Sequence, residues 1–166
     1  MVRKLALLLI IVAVGVALDQ ATKLLVERWL PLGALVPVIK GFFNLVHIHN
    51  RGAAFGLLAG WSLNFARFFF IVTTSLVLVV VGYLWWRLPP GRWAAAWGYG
   101  LIMTGALGNL IDRVRLGEVI DFLDLYWGRF HWPAFNVADS LVCLGAGLLV
   151  WVILTEEKGA DASDPV

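Results

Sequence analysis

Four stretches of the chain are apolar along almost their whole length, and they set its architecture. They cover residues 4–26, 63–86, 93–111 and 136–155. Each is long enough to cross a bilayer core of about 30 Å as a helix rising 1.5 Å per residue. Within the first, Asp19 and Lys23 lie four residues apart and so share one helix face. Between the first and second stretches the pattern changes. Val46 and Ile48 alternate with His47 and His49, which is strand periodicity, and the small residues Gly52, Ala53, Ala54 and Gly56 follow. This predicts a small extramembrane β element over residues 32–60, lying on the bilayer surface. A polar turn containing Pro89-Pro90-Gly91 separates the second and third spans. The expectation is an all-α membrane protein: four transmembrane helices and one β element between the first two.

Finer spacing adds packing detail. In the third span Ala96, Gly100, Thr104 and Gly108 recur every four residues, a stripe that lets helix backbones approach. In the fourth, Asp139, Cys143 and Gly147 share a face, which predicts a narrow, packable side with Cys143 in the core. Tryptophans fall into two groups, Trp29, Trp61, Trp127 and Trp132 at one end and Trp85, Trp86, Trp93, Trp97 and Trp151 at the other, as interfacial belts would. Arg3 and Lys4 ahead of an apolar run, with Gly15-Val16-Ala17 behind it, have the pattern of a cleaved leader. Apolar character resumes at Leu24, so a retained first span is the expectation. No linker divides residues 1–158, which are expected to form one unit, and the polar tail 159–166 is expected to be disordered.

Composition sharpens this picture. The 166 residues are 61% hydrophobic and 14% charged, with a mean hydropathy of +0.85, which excludes an ordinary soluble domain. A net charge of +2 without a basic stripe excludes nucleic acid as a partner. The one cysteine excludes an internal disulfide. Even spans place both termini on one side. The dense short basic segments there (Arg3, Lys4, Arg87, Arg92, Lys158) favour the cytoplasmic side, although the loops opposite carry more basic residues in all.

The polar residues then supply the chemistry. Asp112, Asp121, Asp124 and Asp139 lie between residues 105 and 140, and the spans deliver Asp19, Asn50, Asn109 and Asn136 to the same side. Two carboxylates held close cannot both ionise easily, so such a pair keeps one proton at neutral pH. The ionised member takes a proton from water while the protonated one polarises a carbonyl, which is peptide hydrolysis. A loop aspartate also serves as a helix cap or as a partner for Arg113, Arg115 or Arg129. Asp139 differs: it lies inside an apolar run with no basic residue before Lys158. Composition leaves open which two carboxylates pair. His47, His49 and His131 suggest an open zinc site, but no His-Glu-x-x-His helix accompanies them, and no metal is expected. A non-enzymatic proton or ion pathway, or an assembly subunit, is the alternative of another class. A relay would thread carboxylates through the membrane's depth, and these gather at one interface.

Five motifs in order carry a resemblance: Asp19-Gln20-Ala21-Thr22-Lys23, Asn50-Arg51-Gly52-Ala53-Ala54-Phe55-Gly56, Gly108-Asn109-Leu110-Ile111-Asp112-Arg113, Val119-Ile120-Asp121-Phe122 and Phe135-Asn136-Val137-Ala138-Asp139. Together they resemble the lipoprotein signal peptidases (signal peptidase II) over residues 4–155. The resemblance implies an aspartyl intramembrane protease with Asp121 and Asp139 as its dyad. It implies removal of signal peptides from bacterial prolipoproteins just before a diacylglyceryl-modified cysteine, at the outer face of the cytoplasmic membrane. No metal or cofactor is implied; the partners are the lipidated prolipoprotein and membrane lipid, and globomycin is the expected inhibitor. Asn50, Gly52, Asn109, Arg113 and Asn136 are then expected to orient substrate and dyad, Asp19 and Lys23 to support the site, and Asp112 and Asp124 to be supporting or structural.

Overall fold

The computed structural model describes residues 2–52 and 62–161, with side chains as far as Thr155. Ala53, Ala54, Gly56 and Trp61, the end of the expected β element and the last five residues of the tail lie outside the described residues. The elements run α1 (Val2–Trp29), β1 (Leu35–Ile39), β2 (Phe43–Asn50), α2 (Leu63–Arg87), α3 (Trp93–Arg115), β3 (Val119–Trp127), β4 (Phe130–His131) and α4 (Val137–Asp161). Among the described residues three helices are long and apolar enough to cross a membrane: α1, α2 and the Val137–Thr155 part of α4. The remaining expected span forms α3. It is long enough, but it carries Gly, Thr, Asn, Asp and Arg where the others carry Val, Leu and Ile.

That composition follows from position, because α3 packs against each of the other three helices. Gly100, Thr104 and Gly108 of the expected stripe face α1. A Cβ at Gly100 would touch Ile11, one at Gly15 would strike the Thr104 methyl, and one at Gly108 would lie 2.5 Å from Asp19 Oδ2. Gly98 and Gly105 face α4: a Cβ at Gly105 would collide with the Ala138 carbonyl, and one at Gly145 would lie 2.6 Å from the Gly98 oxygen. The face of α4 that packs is therefore Ala138, Val142, Gly145 and Leu149, not the expected Cys143 and Gly147. Cys143 is exposed, and a Cβ at Gly147 would meet nothing. One helix face of small residues predicts close approach, but two candidate faces on α4 differ by only one residue in register.

The sheet is also larger than its sequence suggests. Its order is β1-β2-β3-β4, all antiparallel, so residues beyond α3 join the element between α1 and α2. Asn50 pairs with Val119, Ile48 with Asp121 and Asn44 with Asp124. The register slips between Leu45 and Ile48, and this bulge breaks the alternation. Val46 and His47 are both buried, whereas Ile48 is exposed, so His47 does not lie on a polar strand face. Its Nδ1 donates to the Leu30 carbonyl at 2.8 Å. Val26 at the end of α1 and Ile120 and Phe122 of β3 form a small core with Leu30, Leu45, Leu123 and Val137 around them. This core ties the sheet to the mouth of the bundle. Trp85, expected in an aromatic belt, is buried beneath the Lys4 ammonium instead, 4.4 Å from it.

Candidate active site

The site begins with an ion pair that needs no solvent. Lys23 on α1 is 1% exposed, and its ammonium meets Asp19 Oδ2 at 2.9 Å, Asp112 Oδ2 at 2.7 Å and Asn109 Oδ1 at 3.1 Å. Three donors meet three acceptors, as a buried charge requires. Gln20 adds a second link, donating to Asp19 Oδ2 at 3.1 Å and Asp112 Oδ1 at 2.9 Å. Asp19 Oδ1 accepts from the Ala138 N–H at 2.9 Å, in the first turn of α4, where a helix favours negative charge. Asp112 Oδ2 accepts from the Ile120 N–H at 3.4 Å. These residues fasten α1, α3, β3 and α4 together below Asp121 and Asp139.

Above that layer, three asparagines address two carboxylates. Asn109 turns its oxygen to Lys23 and therefore offers its amide N–H to Asp139 Oδ1, at 2.7 Å. Asn136 precedes α4 and caps it reciprocally with Asp139. The Asn136 oxygen accepts from the Asp139 N–H at 3.0 Å, and Asp139 Oδ2 accepts from the Asn136 N–H at 3.2 Å. The Asn136 amide also donates to Asp121 Oδ1 at 2.8 Å, to Asn109 Oδ1 at 3.1 Å and to the Ile120 carbonyl at 3.2 Å. The same residue thus touches both carboxylates. Asn50 holds the other oxygen of Asp121 at 2.8 Å. Its orientation is set by Gly52, whose N–H donates to Asn50 Oδ1 at 2.8 Å and whose φ of 90° suits glycine. A Cβ at Gly52 would collide with the Phe70 ring.

Asp121 is 2% exposed on β3. Burial pushes its carboxyl from 3.8 up to about 7. The neighbouring Asp139 pushes the same way, while the amides of Asn50 and Asn136 and the Lys23 ammonium pull it back. A carboxyl near 7 is poised to exchange a proton at neutral pH. Arg113 lies 4.9 Å over the Phe70 ring and donates to the Asn109 carbonyl at 3.4 Å. With Asn109 it forms the polar end of a cavity of about 210 Å³ whose apolar wall includes Val77, Ile102 and Val142.

The structure thus gathers Asp19, Lys23, Asn50, Gly52, Asn109, Asp112, Arg113, Asp121, Asn136 and Asp139 around one mouth. Asp124 is not among them. It faces Asn44 at 2.7 Å and His131 at 2.9 Å at the far end of β3. The three histidines do not share one point: His47 and His49 lie with ring centroids 5.2 Å apart and His49 donates to Glu118 at 3.1 Å, whereas His131 stacks on Tyr126. Two participants escaped the sequence reading. Gln20 lies in the first motif, which gives it no role. Glu118 takes Arg51 at 2.6 Å as well as His49, closing the edge of β2 beside Asn50; only the adjacent motif hints at it.

Known proteins resemble this chain over most of its length. The family model described as Signal peptidase (SPase) II matches residues 11–155. The lipoprotein signal peptidase of Geobacter sulfurreducens is 49% identical over 144 residues, covering 87% of this chain and 89% of that protein. That of Geobacter metallireducens is 46% identical over 149 residues, covering 90% and 91%. Among solved structures, a bacterial membrane enzyme determined by the in meso method at 2.3 Å superposes with a TM-score of 0.81 at 31% identity, covering 97% of this chain and 94% of that one. A second, at 1.9 Å, gives 0.78 at 32% identity, covering 90% and 93%. A multi-pass membrane protein with these relatives across nearly its whole length belongs to the signal peptidase II family of peptidases.

Proposed function

We propose that this chain is an aspartic endopeptidase that removes signal peptides from bacterial prolipoproteins, cutting just before the diacylglyceryl-modified cysteine, with Asp121 and Asp139 as the catalytic pair. The observation that carries this reading is Asn136, which donates to Asp121 through its side chain and to Asp139 through its backbone. Asp121, its carboxyl raised to about 7, supplies the exchangeable proton of the pair. Its ionised member takes a proton from water as the water attacks the scissile carbonyl, and its protonated member donates to the carbonyl oxygen. The resulting tetrahedral diol collapses with proton transfer to the leaving nitrogen.

A signal peptide must be held extended to be cut, which exposes backbone groups at a cost of several kcal/mol each, roughly, in lipid. Asn50 and Arg113 flank the pair and suit those groups, while Asn109, Asn136, Asp112, Asp19 and Lys23 hold the carboxylates in place. The apolar cavity running from Arg113 between α2, α3 and α4 suits a diacylglyceryl chain. In this reading all four helices cross the cytoplasmic membrane, with termini inside and the carboxylates at the outer face. The sheet lies on that face against the substrate, and globomycin blocks the same mouth.

The test uses purified protein reconstituted with a lipidated prolipoprotein, and reads loss of the signal peptide for wild type, Asp121→Asn and Asp139→Asn, with and without chelator. Both variants should be inactive and the chelator without effect. Cleavage surviving either substitution would sink the pair, and loss on chelation would point to a metal.

A further inference from the structure

Asn50 is the last residue of β2, and its amide reaches Asp121 Oδ2 at 2.8 Å. A strand end is where a ladder opens most easily, so a bond made there is only as fixed as the backbone behind it. The two residues flanking Asn50 supply that fixing. His49 Nδ1 donates to Glu118 Oε2 at 3.1 Å, and Arg51 Nε donates to Glu118 Oε1 at 2.6 Å. One carboxylate therefore grips the chain on either side of Asn50, each oxygen committed to a different partner. Hydrogen bonds to a carboxylate are the stronger kind, and Glu118, 16% exposed, is screened less than a surface acid.

Glu118 is fixed in its turn. It follows the end of α3 by three residues and stands one residue before β3. The Leu116 N–H donates to the Asp112 carbonyl at 2.7 Å and the Gly117 N–H to the Arg113 carbonyl at 3.1 Å, closing the helix end. Gly117 then leaves the helix with a φ of 82°, a conformation that suits glycine. Its neighbour Glu118 is thus carried by α3, the helix that also carries Asn109 and Arg113. Val119, next in the chain, is the ladder partner of Asn50. Glu118 holds the site end of β2 to the site end of α3.

We infer that Glu118 is a positioning residue for cleavage: by gripping His49 and Arg51 it keeps the Asn50 amide on Asp121. The inference rests on the reading of Asp121 and Asp139 as the catalytic pair. Its sign separates it from a plain charge effect. The Asn50 hydrogen bond pulls the raised Asp121 carboxyl back down, so slackening that bond lets the carboxyl rise further. Direct electrostatics run the other way. Removing the Glu118 charge, and uncovering the Arg51 cation, would both favour ionised Asp121. The charges that face Asp121 itself, on Asp139, Lys23 and Arg113, stay in place throughout.

The test follows the titration of Asp121 by carboxyl-carbon NMR of the full chain in detergent, labelled at aspartate. The resonance is assigned by its loss in Asp121→Asn. Wild type, Glu118→Ala, Asn50→Ala and the double variant are compared, with kcat on a lipidated prolipoprotein read for wild type and Glu118→Ala. Glu118→Ala should raise the Asp121 midpoint by roughly half a pH unit to one unit, as Asn50→Ala does, and lower kcat several-fold. Added to Asn50→Ala, it should move the midpoint no further. Arg51→Met, which releases one side of the grip at an exposed position, should raise the midpoint by a smaller step and serves if Glu118→Ala does not fold. A midpoint that stays or falls in these variants, a second rise in the double variant, or an unchanged kcat overturns the inference. Cleavage surviving Asp121→Asn would instead sink the reading of the pair, and the titration, which needs no substrate, would still decide whether Glu118 holds Asn50.

Discussion

Lys23 Nζ lies 2.7 Å from Asp112 Oδ2, and the two side chains are 1% and 0% exposed. The cation also holds Asp19, so it neutralises carboxylates from two helices that would otherwise repel. Lys23→Met should cost about 3–5 kcal/mol, because it leaves both carboxylates buried without a counter-charge. Adding Asp112→Asn to it should recover part of that loss. Denaturant unfolding of the four proteins of this cycle in detergent measures the coupling, and simple additivity would contradict the buried pair.

Asp121 predicts a pH dependence with a definite sign. Its folded pKa of about 7 lies above 3.8, so its contribution to stability is full below the lower value and is lost as pH rises through the higher one. Wild type should lose on the order of a few kcal/mol between pH 5 and 8 relative to Asp121→Asn, which cannot ionise. Thermal unfolding of the two proteins across that range decides it; parallel curves would mean that Asp121 is not held up. Cleavage should fall on the same alkaline limb, since Asp121 then loses its proton.

Gly105 and Gly147 make a matched contrast. Gly105→Ala places a methyl against the Ala138 carbonyl, next to Asp139, whereas Gly147→Ala meets open space. The first should cost about 1–3 kcal/mol and reduce kcat, as overpacking shifts the start of α4. The second should stay within about 0.5 kcal/mol with kcat unchanged. Equal effects would remove the argument that backbone contact at this crossing positions Asp139.

Asp124 tests the choice of carboxylates. It is buried, and its carboxylate is hydrogen-bonded to Asn44 and His131 rather than to Asn136. Asp124→Asn should lower stability by about 1–3 kcal/mol while folded protein still cleaves. Folded but inactive Asp124→Asn would transfer a catalytic role to it.

How much of this was legible in the sequence depends on what each signal measures. Apolar runs make α1, α2 and α4 readable as helices, but not their ends: α4 runs on to Asp161, into the stretch expected to be disordered. α3 was readable as a helix, but its small residues record crowding by three neighbours, which lowers its hydropathy. β3 was read as a loop because the Asp121 and Asp124 carboxylates interrupt it. Both its faces are covered, so it shows no alternation either. The expected burial of Cys143 failed for a similar reason: in lipid, apolar character does not distinguish a packed face from an exposed one. The site residues were legible only as motifs. That Asn136 meets both carboxylates depends on the pairing of β2 with β3 and on the cap of α4, which no short-range pattern encodes.

The cap that joins Asn136 to Asp139 also says when this protein can begin to work. In the proposed pair one carboxylate comes from a strand and the other from α4, and side chains of β2 and α3 hold them. A chain made only as far as β3 already owns the Lys23 ion pair and Asp121, yet lacks the second carboxylate of that pair and the amide that aligns the first. Synthesis order thus acts as a safety catch. On the proposed reading, a copy without α4 in place lacks both and cannot cut, and activity begins when α4 docks.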